Sequence, residues 1–224
     1  LDAGIRRFVF SSTAAVYGEP LATPIDEHQP RAPVNPYGRS KMMLEMALED
    51  ACRAHGLGYV ILRYFNVAGA SPDAKLGEWH EPESHLIPLT IQAAMGKRPD
   101  IKIYGTDYET PDGTCVRDYI HVDDLCRAHL LALSKLDERA EQVYNLGNGQ
   151  GYSVREVINT VRRVSGRDFK VVEADRRPGD PAFLTSDATK IRRELGWTAR
   201  KPELESMVAT AWQWHNEHPN GYSD

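Results

Sequence analysis

Asn35-Pro36-Tyr37-Gly38-Arg39-Ser40-Lys41 opens a helix and sets a phenol and an ammonium four residues apart. Positions i and i+4 share a helix face, so the two groups stand side by side. A neighbouring cation favours the phenolate, and a phenol drawn down from its usual value of about 10 can act as a general acid/base. A lone Tyr and Lys at this spacing read more simply as a surface pair, because the pattern is short. The flanking segments decide between the two.

The helix runs from about Pro36 to His55 and ends at Gly56, with Met43, Met46, Ala47, Ala51 and Ala54 expected as its core-facing stripe. Before it, Arg7-Phe8-Val9-Phe10-Ser11 reads as a buried parallel strand, and after it so does Tyr59 to Phe65. Strand, helix, strand is a right-handed parallel crossover, the unit of an α/β fold. Ser11-Ser12-Thr13 and Asn66 to Ala70 then fall at strand carboxyl ends, where such sheets bind ligands. The plainer reading of those hydroxyls is turn chemistry.

Further along, the pattern predicts a helix from Leu86 to Gly96, strands at Ile101–Tyr104, Gln142–Leu146 and Phe169–Glu173, and an extended segment at Arg117–Val122. Asp123 is expected to cap a helix from Asp124 to Leu136, with His121 serving turn and cap geometry rather than a catalytic dyad. Ser153 caps Val154–Ser165, Asp187 caps Ala188–Leu195, and Glu203–His218 closes the chain as an amphipathic helix. Gly147-Asn148-Gly149-Gln150-Gly151 lacks the dinucleotide spacing and its downstream acid, so it reads as a structural turn. Arg176-Arg177-Pro178-Gly179-Asp180 is either a solvated loop or an anion clamp, since guanidinium forks fit phosphate. His80, Glu81, Glu83 and His85 match no usual zinc spacing and Pro82 breaks any helical register, so no metal is expected.

The 224 residues suffice for one or two domains, and 41% hydrophobic with 26% charged is ordinary globular composition. A net charge of −5 gives no case for nucleic acid as a partner. No apolar run is long enough for a membrane helix, and no signal-peptide pattern is present. Cys52, Cys115 and Cys126, scattered and odd in number, fit reduced thiols in a cytoplasmic protein. Leu1-Asp2-Ala3-Gly4 reads as a helix end with Gly4 at its C-cap, as though cut from a longer chain.

Ser11-Ser12-Thr13 with Val16-Tyr17-Gly18, Tyr37-x-x-x-Lys41 and Arg63-Tyr64-Phe65-Asn66 together resemble the extended short-chain dehydrogenase/reductase superfamily. Arg63 to Ala70, Tyr104 to Tyr108, Asp112 to Val122 and Tyr144 to Gly147 resemble, within it, the UDP-glucose 4-epimerase family. The resemblance covers essentially the whole chain, but the family's amino-terminal βαβ units and pyrophosphate turn have no match. It implies an α/β fold: the carboxyl-terminal part of a Rossmann-type doubly wound parallel sheet (1–68 and 119–147, with 188–200 packed on it) plus a smaller α/β UDP-sugar-binding domain (69–118 and 148–224).

The same resemblance implies NAD as cofactor, a UDP-hexose substrate inverted at C4 through a 4-keto sugar, a place in galactose metabolism, and a homodimer. Tyr37 would take the proton from the sugar 4-hydroxyl, Lys41 would hold the nicotinamide ribose, and Thr13 would bond the 4-oxygen. Thr13, Tyr37, Lys41 and Phe65 would border the cofactor. Asn66 would lie by the diphosphate, and His85-Leu86 stand where the family often has Asn-Leu. Lys102, Ile103 and Tyr104 would flank uracil, Arg117 and Arg177 would bind phosphate, and Asp180 the uridine ribose. Leu184 would be a pocket wall where some members have Tyr, leaving room for an N-acetylated sugar. Rival readings are a sugar-nucleotide dehydratase, a UDP-pentose or uronate epimerase, and an inactive UDP-sugar-binding piece. The dehydratase is disfavoured because Ala14-Ala15, not an acidic pair, follows Thr13.

Overall fold

The crossover built on Tyr37 is present in the computed structural model, which describes residues 1–222. Helix α1 (Pro36–His55) connects strand β1 (Arg7–Thr13) to the parallel strand β2 (Gly58–Tyr64). The Asn35 side chain accepts from the Gly38 amide at 2.8 Å, Pro36 occupies the first turn, and Gly56 ends the helix at φ 70°. Strand β6 (Glu141–Leu146) pairs in parallel with β2, so the order is β1-β2-β6.

Side chains alternate across this sheet. Val60, Leu62, Tyr144 and Leu146 face α3 (Val122–Lys135) and α5 (Thr189–Leu195), with Trp197 sealing that side. Tyr59 and Ile61 face Leu48 and Cys52 of α1. Both faces of β2 are covered, which is why Tyr59–Leu62 reads as an apolar run, whereas β1 lies at the edge and is not buried as expected: Arg7 and Phe8 are exposed.

A second group of elements extends from the carboxyl edge of this sheet. Strand β5 (Val116–His121) pairs with β3 (Asn66–Ala68) in parallel, with β7 (Gly151–Ser153) antiparallel, and with β9 (Phe183–Leu184) in parallel. β4 (Ile101–Tyr104) and β8 (Val171–Ala174) form a separate parallel pair. Helices α2 (Leu86–Ala94), α4 (Val154–Ser165) and α6 (Leu204–Glu217) pack together through Ile87, Ile91, Val157, Val161, Met207 and Val208. No helix among the described residues is long and apolar enough to cross a membrane.

The structure corrects several local expectations. Met43 and Met46 of the supposed core stripe are 66% and 48% exposed, and Ala47 and Ala54 are exposed too. The buried positions of α1 are Gly38, Glu45 and Cys52. A Cβ on Gly38 would lie 2.4 Å from the Ala15 carbonyl oxygen, so this contact fixes the helix's rotation and turns an acid inward. Apolar periodicity misread the face because the inward residue is a charge with buried partners. Leu1–Gly4 is a turn closed by the Gly4 amide on the Leu1 carbonyl, with Gly4 at φ 75°, the left-handed value expected of it. His121, not Asp123, caps α3, its Nδ1 accepting from the Asp123 amide at 3.1 Å. The cap position of α5 is Ala188, although Asp187 accepts from the Thr189 amide just inside it. Ser153 caps α4 in a reciprocal box with Glu156. Strands β3, β7 and β9 were not expected. Each is two or three residues long, too short to show a period.

Candidate active site

Tyr37 and Lys41 sit on the first turns of α1, above the carboxyl end of β1. The Lys41 ammonium donates to the Ser11 carbonyl at 3.0 Å and lies 5.8 Å from the centre of the Tyr37 ring. It also lies 5.2 Å from the Phe10 ring. The Tyr37 side chain is exposed. Thr13, at the end of β1, is nearly buried and accepts from the Ala15 amide at 3.2 Å, capping the short turn 14–16. Its register partner in β2 is Tyr64, and Phe65 follows, packed against Val16, Tyr17 and Ile25. Leu184 packs on that same cluster from β9. Gly38 lets α1 approach the 14–16 turn, so one close contact brings Tyr37 and Lys41 to the strand end that carries Thr13.

Beneath this surface lies a polar framework that sequence reading missed. Glu45 is fully buried and accepts from Ser12 at 2.6 Å, from Arg63 at 3.0 and 2.6 Å, and from Arg31 at 3.2 Å. Burial pushes its carboxyl up, but the Arg63, Ser12 and Arg31 donors outweigh that, leaving it below the ordinary value. Arg63 also donates to the Tyr17 hydroxyl at 2.9 Å, and Tyr17 donates to Asn145 at 2.7 Å. Asn145 in turn donates to the Ile25 carbonyl. Burial raises the Tyr17 hydroxyl, which keeps it a donor. A signal was available: Glu45 lies four residues beyond Lys41, on the same helix face.

Most of the expected nucleotide residues converge on one cavity of about 320 Å³. Asn66, His85, Leu86, Lys102, Tyr104, Arg117, Arg177 and Asp180 line it, as do Arg98 and Tyr119, which were not foreseen. The Arg177 guanidinium stacks 3.9 Å from the centre of the Tyr104 ring. Arg117 bridges to Asp180 at 2.9 Å and donates to the Pro181 carbonyl at 2.8 Å. Asn66 donates to the Asp118 carbonyl at 2.9 Å. Ile103 is the exception: its side chain is buried with Ala93, Ile101 and Ile158 and does not reach the cavity. Strand alternation turns Lys102 and Tyr104 outward and Ile103 inward. Thr13, Tyr37, Lys41, Phe65 and Leu184 do not line this cavity. They stand at the adjoining strand end, joined to it through the Phe65-Asn66 peptide.

The fit to a dinucleotide is one-sided. A phenol, an ammonium with donors to spare, and an aromatic ring are suited to ribose hydroxyls and a nicotinamide. Two amides of the glycine-rich turn 147–149 are already used: those of Asn148 and Gly149 donate to buried Asp118 at 2.8 and 3.0 Å. Ser186 gives the same carboxylate its amide and its hydroxyl. That turn therefore offers no cradle for pyrophosphate.

Residues 1–147 match the family described as the NAD dependent epimerase/dehydratase family. The UDP-glucose 4-epimerase of Halalkalibacterium halodurans is 50% identical over the whole chain, which covers 67% of that relative. A solved UDP-glucose 4-epimerase from Bifidobacterium longum, in complex with NAD+ and UDP, superposes with a TM-score of 0.92 at 41% identity. That match covers 99% of this chain and 67% of the other. The UDP-Glc/GlcNAc 4-epimerase of Campylobacter jejuni gives a TM-score of 0.81 at 48% identity, covering 96% of this chain and 66% of the other. The chain thus spans about two thirds of the length of these relatives.

Proposed function

We propose that this chain, which belongs to the NAD dependent epimerase/dehydratase family, supplies the proton-transfer and nucleotide-sugar side of a UDP-hexose 4-epimerase. The observation that carries the proposal is a juxtaposition. A Tyr–Lys pair stands at one strand end, and a cavity lined by three arginines, two tyrosines and an aspartate opens at the next.

UDP brings two phosphates, a ribose and a planar base. Arg117 and Arg177 meet the diphosphate, Asp180 the ribose, and the Tyr104 ring with the Lys102 stem the uracil. His85 and Leu86 close one wall, and Asn66 lies between base site and reacting sugar. At the sugar, the Tyr37 hydroxyl exchanges the proton of the 4-hydroxyl with Thr13 Oγ1 bonding the same oxygen. Lys41, fixed by its bond to the Ser11 carbonyl, keeps a positive charge beside that phenol. Tyr37, Lys41, Thr13 and Phe65 would hold the ribose–nicotinamide end of NAD, which supplies reversible hydride transfer at C4 when bound. Ala14-Ala15 supply no acid for eliminating water, which favours epimerisation over dehydration.

On this reading residues 1–68 and 119–147, with 188–200, serve the cofactor, and 69–118 and 148–224 serve the nucleotide sugar. Leu184, a half-buried aliphatic wall beside Phe65, admits an N-acetylated hexose. The exposed Met43, Leu44 and Met46 of α1 suit pairing with a second copy. A cytoplasmic place in galactose metabolism follows from the substrate proposed.

The test is interconversion of UDP-galactose and UDP-glucose with added NAD. It is run on this chain and on the chain extended with the amino-terminal third of the Halalkalibacterium halodurans relative. Turnover by either, cut roughly 10²-fold or more by Tyr37→Phe, supports the proposal. A turning-over enzyme indifferent to Tyr37→Phe, or neither protein binding UDP, refutes it.

A further inference from the structure

We propose that the loop entering α2 is a binding site for a zinc-class transition-metal cation, held by His80, Glu83 and His85. The ligand atoms of His80, Glu83 and His85 all lie within 4.8 Å of one another. His85 Nδ1 is 3.0 Å from Glu83 Oε1 and 2.9 Å from Glu78 Oε1, and His80 Nδ1 is 3.6 Å from Glu83 Oε1. A tetrahedral zinc with bonds of about 2.0–2.1 Å to nitrogen and oxygen has donor–donor edges of about 3.3 Å. The observed separations bracket that edge.

One imidazole hydrogen is shared at the centre of the arrangement. His85 Nδ1 carries at most one hydrogen, yet two carboxylate oxygens lie within 3.0 Å of it. Glu83 Oε1 already accepts the amides of Ser84 at 2.6 Å and His85 at 2.8 Å. Glu83 and the two imidazoles face one point, where a cation would take the place of the shared imidazole hydrogen. The two amides then orient the Glu83 carboxylate, the part that outer partners play around a metal. Glu83 is nearly buried, whereas the His80 and His85 side chains are about half exposed, so an ion has a path in.

The donor set selects the metal. Two imidazole nitrogens disfavour magnesium and calcium, which want oxygen, and no thiolate is present to demand a softer ion. Sequence spacing gave no hint because zinc patterns count residues along helices and knuckles. Here a loop bent at Pro82 returns the donors to one another. His85 also lines the nucleotide-sized cavity, so the ion would brace one of its walls. The site itself does not depend on the epimerase reading.

The experiment is titration of the chelator-treated, tag-free 224-residue chain with Zn²⁺ by calorimetry and with Co²⁺ by visible absorption. The expected result is one ion per chain, with cobalt bands of tetrahedral intensity. His80→Ala, His85→Ala and Glu83→Gln should each weaken binding more than about tenfold. Cys126→Ser and His28→Ala, elsewhere on the surface, should leave it unchanged. Absence of stoichiometric binding, or affinity unmoved by the His80 and Glu83 substitutions, overturns the proposal. Far-UV circular dichroism checks that each variant is folded. If His85→Ala is not, His80→Ala, which removes an exposed ring, decides alone.

Discussion

Two sets of arginines do opposite work here. Arg63 is buried beside Glu45, with Tyr17, Ser12 and Arg31 completing its surroundings. Arg177 lies on the surface, stacked on Tyr104 at the edge of the cavity, and Arg176 beside it stacks on Tyr108 and pairs with Asp107. Removing one member of a buried pair strands the other in a medium that cannot solvate it. Removing a rim arginine returns nothing worse than an exposed aromatic ring to water. The first set therefore belongs to architecture, holding α1 against β1 and β2 so that Tyr37 and Lys41 are placed. Of the second, Arg177 faces the cavity and is available for a ligand.

The strongest way to break this contrast is Glu45→Ala. It should cost about 3–5 kcal/mol in urea denaturation, because Arg63 is left buried without its carboxylate. A loss below about 1 kcal/mol would put the buried pair on the same footing as the surface ones. Arg177→Ala should weaken UDP binding roughly tenfold by calorimetry while leaving the urea midpoint in place. A shifted midpoint with unchanged affinity would reverse the roles assigned to the two sets. Ser12→Ala should cost about 1–2 kcal/mol, one charge-assisted bond to Glu45, with no change in UDP affinity.

Acid pH offers a gentler probe. The Glu45 carboxyl lies below its ordinary value in the folded chain: burial raises it, and the Arg63 bond and charge lower it further than that. An acid depressed by folding contributes stability that is present above its unfolded value of about 4.3 and lost as pH falls through the folded one. Urea stability measured downward from pH 5 should decline less steeply in Glu45→Gln than in the parent. Equal slopes would mean that the acid limb belongs to other carboxylates.

Legibility followed the same division. The crossover around Tyr37 was readable because α1 carries an N-cap, a first-turn proline and a terminal glycine, and because Phe8–Phe10 and Tyr59–Leu62 before and after it are apolar runs. The cavity residues came through resemblance, and strand alternation alone would have excluded the Ile103 side chain. What stayed hidden were pairings between distant positions. Glu45 meets Arg63 across 18 residues, and Asn145 reaches the Ile25 carbonyl across 120, and no local period records either. The misplaced stripe of α1 has the same cause: an inward-facing acid looks like a solvated one until its partner is known.

Asp118 gathers donors from 30, 31 and 68 positions further along the chain. During synthesis on a ribosome, this carboxylate would emerge long before Ser186 does. Closure of the region around β5 must then wait for the late segment, whatever the speed of the β1–β2 crossover. Polypeptides halted ahead of Ser186 should be the ones that proteases clear first.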